Sequence, residues 1–398
     1  MMNNRAPLTP CLLALAFLAL AIWPAHASLQ SCVNGLKRAA IKAGVRASIA
    51  NKALANVRYD EKTIRFSRSQ PENRTYIWDY MAFLVDTKRI SDGKAMMRKH
   101  NRTLRAVEKT YGVDRYIIAA LWGIESDYGQ FRGDFYTPHS LANLVCSGNR
   151  RAKLFRRELI ITLQLVSRGD IKLSDLKGSW AGAFGQTQFM PSTYKRLAVD
   201  FDRNGRRDLV NSVPDALAST ANFLRKAGWR TGQTWGYEVK IPKGYRGRSG
   251  RRRKASLTTW GKRGIVKIKG GKVSGKRKAG LILPAGKNGP AFLVFRNFDA
   301  LYSYNVAISY ALSISHLSDR LRGRKPIIKA WPTNDPGLSR AQRLQLQKLL
   351  NKHGFNVGEA DGRIGPITRK AIKQAQRKHG LKADGRPGTR IYRKLGGR

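Results

Sequence analysis

The sequence predicts a mainly α-helical protein, with a helical body carrying a small β insertion and a separate C-terminal module of three helices. Three observations carry this reading. Apolar residues recur at spacings of three and four through most of residues 28–316. Between Lys240 and Gly280 the composition changes to sixteen basic residues and nine glycines without one acid. Beyond Pro326, Pro332 and Pro336, a short turn sequence repeats. With 398 residues, 42% of them hydrophobic, the chain can bury a real core, and at roughly 150 residues per domain it has room for two or three domains. Its 76 Lys and Arg against 25 Asp and Glu give a net charge of +51. Such a balance points to a polyanionic partner: nucleic acid, a membrane or an anionic cell wall.

The elements follow in order. Arg5 precedes an apolar run, Cys11 to Trp23, and then Ala25-His26-Ala27, so residues 1–27 read as a cleavable export signal. A membrane anchor is the weaker alternative, because the run is shorter than the roughly 20 residues a bilayer requires. Cleavage leaves Cys32 and Cys146, an even pair in an oxidising compartment and hence an expected disulfide, with two free buried thiols as the alternative. Export also demotes nucleic acid as a partner.

Asp114 opens a helix that stops near Gly129, and Arg156 to Leu165 and Asp215 to Leu224 read as further helices. The runs Tyr237-Val239, Ile265-Ile268, Leu281-Leu283 and Phe292-Phe295 predict a β subdomain around a basic loop, Arg246 to Lys254. Such a charge run is usually a solvated loop, and a specific binding role is the alternative. Residues 324–337 read as a linker. In the tail, Ala360-Asp361-Gly362-Arg363 recurs as Ala383-Asp384-Gly385-Arg386. Pro366 suits a first helical turn, Ile367, Ala371, Ile372 and Ala375 supply an apolar face, and Gly380 supplies a stop. The tail has no cluster with catalytic or metal-ligand spacing, so binding is its expected role.

Two stretches carry chemistry. Glu125 follows Ile118, Leu121 and Trp122 on one helical face, an acid on an apolar stripe near a helix C-terminus. Desolvation and the negative end of the helix dipole both favour its protonated form, which suits a general acid. A glutamate bending out to solvent, or pairing with an arginine, is the structural alternative. From Gly178 to Tyr194, glycines alternate with Ser179, Gln186, Thr187, Gln188, Phe189 and Met190. Close backbone approach, neutral hydrogen bonds and aromatic plates suit an amide-bearing sugar, and a tight turn packed in the core is the alternative.

The stretch Ala120-Leu121-Trp122-Gly123-Ile124-Glu125-Ser126-Asp127-Tyr128-Gly129, followed by Gly182-Ala183-Phe184-Gly185-Gln186-Thr187-Gln188-Phe189-Met190-Pro191-Ser192, closely resembles the lytic murein transglycosylase B family. The likeness runs from about residue 28 to 323, and the repeats from residue 338 onward resemble a peptidoglycan-binding module. The resemblance implies a lysozyme-like helical catalytic core over residues 28–323 and a peptidoglycan-binding domain over 338–398. It implies that Glu125 is the single catalytic acid and base. Ser179 and Gln188 are implied to touch the reacting sugars, and Phe189 and Met190 to line the cleft. Tyr304, Asn305 and Tyr310 are implied to orient the acid and stabilise the transition state, and Tyr80 to stand beside the cleft. Arg150 and Arg151 are implied to meet stem-peptide or lactyl carboxylates.

The implied reaction cleaves the bond between N-acetylmuramic acid and N-acetylglucosamine in peptidoglycan and leaves 1,6-anhydro ends, without a metal or organic cofactor. Asp127 falls off the buried face of the helix, and the stretch offers no second acid to activate water. The alternatives are a hydrolytic muramidase on the same fold, reached if Asp127 or Asp134 enters the cleft, and a non-catalytic wall-binding protein. The family sometimes carries calcium, and Asp200, Asp202, Asn204 and Asp208 open an EF-hand-like loop. Its twelfth position, however, is Asn211 rather than a bidentate glutamate, which favours an Asp-rich turn without tight calcium binding. The expectation is a periplasmic monomer that acts on glycan strands, makes peripheral contact with anionic envelope surfaces and does not bind nucleic acid.

Overall fold

The computed structural model describes residues 23–68 and 75–398, so residues 1–22 of the expected export signal lie outside the described residues. Among the described residues no helix is long and apolar enough to cross a membrane.

An N-terminal helical layer consists of α1 (Trp23–Lys42), α2 (Ala47–Ala53) and α3 (Glu61–Ser67). It packs on α8 (Thr137–Cys146) and α9 (Ala152–Ser167) through Val33, Leu36, Leu54, Leu141, Phe155 and Leu159. A disulfide joins Cys32 on α1 to Cys146 at the end of α8. The central layer runs through α4 (Ile77–Leu84), α5 (Thr87–Lys99), α6 (Asn101–Tyr111) and α7 (Arg115–Ser126). It is completed by α11 (Val213–Lys226), α13 (Arg296–Tyr304) and α14 (Ile308–Leu321). Helix α7 lies at its heart, with Ile118, Leu121 and Trp122 at 0–1% exposure among Leu217, Phe298 and Leu312. The Asp114 carboxylate caps its start by accepting the N–H of Tyr116 at 2.9 Å.

Between these layers, β1 (Phe135–Tyr136) pairs antiparallel with β2 (Lys177–Gly178), and a loop-rich stretch leads to α10 (Pro191–Leu197). Phe184, Phe189, Tyr194 and Leu209 form the core of this stretch. The β subdomain is one antiparallel sheet in the order β4 (Lys254–Ser256), β6 (Lys278–Ile282), β7 (Ala291–Val294), β3 (Gly236–Lys240), β5 (Val266–Lys267). A short helix, α12 (Leu257–Lys262), buries Trp260 against Val239, Leu281 and Leu293. The sequence reading lacked that helix and also β4, which begins at Lys254 where the basic loop was taken to end. Arg251 and Lys254 both bond the Asp299 carboxylate, so part of the charge run is internal wiring, whereas Arg252, Arg253 and Lys272 face solvent.

The tail has its own core of Leu346, Leu350, Ile372, Ile391 and Tyr392, built from α15 (Arg340–Lys352), α16 (Pro366–Lys378) and α17 (Thr389–Lys394). The two repeats share one device. Buried Gln347 donates to Asp361 and accepts the N–H of Gly362, while buried Gln376 donates to Asp384 and accepts the N–H of Gly385. Each repeat therefore clamps its turn to the preceding helix through one side-chain amide that satisfies both partners.

The stretch read as a linker packs on the catalytic body. Ile327 and Trp331 rest on the central core, and the N–H groups of Ile328 and Lys329 donate to Glu238 at 2.8 Å. A Cβ on Gly337 would lie 2.6 Å from the Cα of Asp79, so only glycine permits this approach of tail and body.

Candidate active site

Helix α7 ends in three successive left-handed residues, Asp127 (φ 52°), Tyr128 (φ 60°) and Gly129 (φ 87°). Two of these are not glycine, and that conformation persists only where surrounding bonds over-determine it. Ser126 accepts the N–H of Gly129 at 2.9 Å and donates to the carbonyl of Gln186, whose amide oxygen accepts from the indole N–H of Trp122 at 3.0 Å. The Tyr128 hydroxyl donates to the carbonyl of Arg89. Asp127, 5% exposed, takes Arg89 on one carboxylate oxygen and Arg340 on the other. Arg340 also bonds Asp86 through Nε at 2.9 Å and Nη2 at 3.1 Å. A quartet of two acids and two arginines thus fixes the turn, and one arginine comes from the tail.

Two residues before Asp127, half-buried Glu125 opens into a cavity of about 850 Å³. Tyr80, Asn305 and Tyr310 line the same cavity, so four residues distant in sequence converge. The Tyr310 hydroxyl donates to Oε1 of Glu125. Burial, with the Glu125 charge second, pushes the phenol of Tyr310 well above its usual range, and the same two causes act on Tyr304. Both phenols therefore stay protonated as donors at neutral pH. The Tyr304 ring stacks on Tyr310 at 6.4 Å, and its hydroxyl donates to the carbonyl of Thr187 at 2.5 Å, tying the glycine-rich loop to the floor beneath Glu125.

That loop differs in detail from the expectation. Phe189 does not face the cleft: it is 2% exposed and packs against Phe223 and Tyr304. Its backbone exchanges two hydrogen bonds with Phe184, both at 3.0 Å, and its ring lies inward as a support for Tyr304. Met190 and Ser179 are half-buried, and Ser179 accepts the N–H of Ala183 at 3.0 Å. Gln188, at φ 51°, donates its amide to the carbonyls of Arg132 and Gly185, both at 2.9 Å, so it braces the loop. Arg150 and Arg151 stand exposed before α9, with Arg151 over the Phe155 ring, and neither lines the cavity of Glu125.

The cations at that cavity are Arg343, Arg363, Arg369, Lys382 and Arg386, all from the tail. Sequence reading missed them because it treated the tail as detached. Asp134, raised as a second acid, is exposed and lines a different cavity, beside Tyr59 and Phe135.

In the Asp-rich loop, carboxylate oxygens of Asp200, Asp202 and Asp215 lie within 4.8 Å of one another. Asp215 rather than position twelve closes the turn, accepting the N–H groups of Phe201, Asp202 and Asp208 at 2.7, 3.2 and 2.9 Å. Burial raises its carboxyl pKa. Asp208 accepts from Val210 and Asn211. The bidentate twelfth ligand of an EF-hand is missing, and Asp215 serves as an acceptor for backbone donors, so the donor set does not match that calcium cage.

Helical layers around one tyrosine-held glutamate, with a small sheet to the side, define a lysozyme-like catalytic fold. The chain belongs to the transglycosylase SLT domain family, which residues 28–319 match, and residues 339–395 match a peptidoglycan-binding domain described as putative. It is 39% identical to SltB3 from Pseudomonas aeruginosa, solved in complex with NAG-anhNAM-pentapeptide. That comparison covers 92% of this chain and 99% of the other, with a TM-score of 0.74. The Escherichia coli lytic transglycosylase Slt35 in complex with calcium is 25% identical over 74% of this chain and 92% of its own, with a TM-score of 0.64. Membrane-bound lytic murein transglycosylase B of Escherichia coli (strain K12) is 34% identical over 153 residues, which make up 38% of this chain. The chain spans 42% of the length of that curated relative.

Proposed function

We propose that the protein is a peptidoglycan lytic transglycosylase that cleaves the β-1,4 bond between N-acetylmuramic acid and N-acetylglucosamine and leaves 1,6-anhydromuramic ends. One observation carries the reading. Among the described acids at the cavity, Asp79 is held by Arg386 at 2.5 and 2.7 Å, and Asp384 accepts from Gln376 and from its own turn. Asp127, nearby in sequence, sits between two arginines. Glu125 is left as the acid with a tyrosine donor and an opening toward substrate. Activating water would call for a second carboxylate on the opposite face of the sugar.

In this mechanism Glu125 protonates the glycosidic oxygen as the bond to the muramic anomeric carbon breaks. The substrate's own acetamido oxygen bonds to that carbon and carries the positive charge. The Glu125 carboxylate then removes the proton of the muramic 6-hydroxyl, whose oxygen displaces the acetamido oxygen and closes the anhydro ring. An intramolecular hydroxyl reaches effective concentrations of ~10⁵–10⁸ M in well-oriented systems and so competes with water without a second base.

We assign residues 1–27 to a cleavable export signal, 28–323 to the catalytic domain, 324–337 to a packed connector and 338–398 to the wall-binding domain of a periplasmic monomer. Glu125→Gln keeps shape and polarity but cannot give and take a proton, so turnover should fall by ~10²–10⁴ or more. Mass spectrometry of digested peptidoglycan tests the reaction. Products one water lighter than the hydrolytic ones are expected, whereas a majority of reducing muramic ends makes the enzyme a hydrolase.

A further inference from the structure

The tail wall of the cavity carries more positive charge than the protein itself neutralises. Arg386 is engaged by Asp79 and Asp335. Arg363, Arg369 and Lys382 are exposed at the cavity, and the ion pairs among the described residues include none of them. Arg343 stands deeper. Its guanidinium lies over the Phe83 ring at 4.4 Å and donates to the carbonyls of Leu338 and Asp79, both at 3.2 Å, so its hydrogen bonds go to neutral acceptors. Burial holds it below the usual guanidinium range, to about 10, with Asp79 opposing that shift and the like charge of Arg369 adding to it.

Neutral sugars do not require four cations on one wall. The cavity's other acids are engaged elsewhere, Asp79 by Arg386 and Asp384 by Gln376 and its own turn, and cations that face one space without an ion-paired carboxylate of their own suit a ligand bearing several carboxylates. Between them Tyr76, Phe83, Ile364 and Pro387 offer apolar surface, which suits short aliphatic side chains and a peptide backbone better than a bare sugar. The wall shares its cavity with Glu125, so a ligand held there lies beside the glycan that Glu125 acts on.

We propose that Arg343, Arg363, Arg369 and Lys382 form a carboxylate-recognition site for the acidic stem peptide carried by the glycan, which makes the tail a specificity-determining wall of the active site. This rests on the reading of the substrate as peptidoglycan. It transfers to the tail the role that the sequence reading gave to Arg150 and Arg151.

The test is a binding titration on Glu125→Gln, where substrate stays intact, using glycan oligomers with stem peptides and the same oligomers with the stems removed, which retain free lactyl carboxylates. Stem-bearing oligomers should bind at least about tenfold tighter, the equivalent of ~1.4 kcal/mol. Adding Arg363→Ala, Arg369→Ala and Lys382→Ala, all surface changes, should erase that difference. Arg369→Glu alone should reduce it, and rising salt should weaken stem-bearing binding more steeply than stem-free binding. Equal affinity for the two oligomers in Glu125→Gln overturns the proposal, as does a difference that survives the triple substitution. Equal loss on both oligomers assigns the cations to the lactyl carboxylate and likewise overturns it. Turnover by the unmutated enzyme is scored separately: failure to cleave either oligomer refutes the proposed activity without touching the binding result.

Discussion

Replacing Arg340 with methionine removes one cation from a buried quartet while keeping much of the aliphatic volume. The two carboxylates it serves, Asp86 and Asp127, have side chains 4% and 6% exposed, and the arginine side chain itself is 18% exposed. Arg89 remains, held by Asp127 and by the carbonyls of Phe83 and Leu84, so one cation then faces two acids. Breaking a buried ion pair from one side costs about 3–5 kcal/mol, because the partner is left charged and poorly solvated. Arg340 is partly open to water, so the lower end, about 3 kcal/mol, is expected.

Denaturant unfolding measures this loss, and a double-mutant cycle with Asp86→Asn isolates the pair, with a coupling of at least ~1 kcal/mol expected. Limited proteolysis across residues 324–337 should show the tail released from the body. Because Asp127 ends the helix that carries Glu125, turnover of short soluble glycans should fall as well. A loss of stability below ~0.5 kcal/mol, with zero coupling, would place Arg340 among ordinary surface ion pairs and refute the reasoning.

Tyr310→Phe deletes the hydroxyl that holds Glu125; a hydrogen bond to a charged group contributes ~1.5–3 kcal/mol, so kcat should drop by about 10- to 100-fold with KM little changed, and a kcat within twofold of the parent would contradict the role. His316 is pushed down to about 4 by burial, while the unfolded imidazole titrates near ~6.5. Between those values the unfolded chain binds the extra proton, so this contribution to stability is whole above about pH 6.5 and is lost as pH falls toward about 4, by up to ~3 kcal/mol. His316→Gln should flatten that slope in denaturation curves taken across the window, and an unchanged slope would disprove it. Replacing Cys32 and Cys146 with serine opens a link across 114 residues and should cost about 2–4 kcal/mol by equilibrium unfolding; alkylation of both thiols in the exported, non-reduced protein would contradict the bond.

Some of this architecture is legible residue by residue and some is not. Glu125 stands out because the apolar stripe and the acid lie within two turns of one helix, but that spacing fits a structural glutamate equally well, and its role as the acid came with the family resemblance. The tail repeats show equally well, since each is a turn followed by a helix. The alternation of glycine and aromatic residues marks the loop from Gly178 to Tyr194 as special, but not which rings turn inward, because Phe189 is claimed by Phe223 and Tyr304 from other elements. Nothing near Asp127 signals Arg340, 213 residues away. The cationic wall was hidden for the same reason: its residues, Arg343 and Arg369 on two helices and Arg363 and Lys382 in the turns beside them, look like solvated charges until Gly337 lets the tail lie against Asp79.

That docked tail has an evolutionary consequence. Wall-binding modules joined by free tethers can be exchanged between enzymes, because nothing in the catalytic body depends on which module is attached. Here one charge of the body's helix-end lock belongs to the appended module. A lineage that loses or trades the module must, at the same step, supply a cation for Asp86 and Asp127 or remove one of those acids, so inheritance of the two parts is coupled through Arg340.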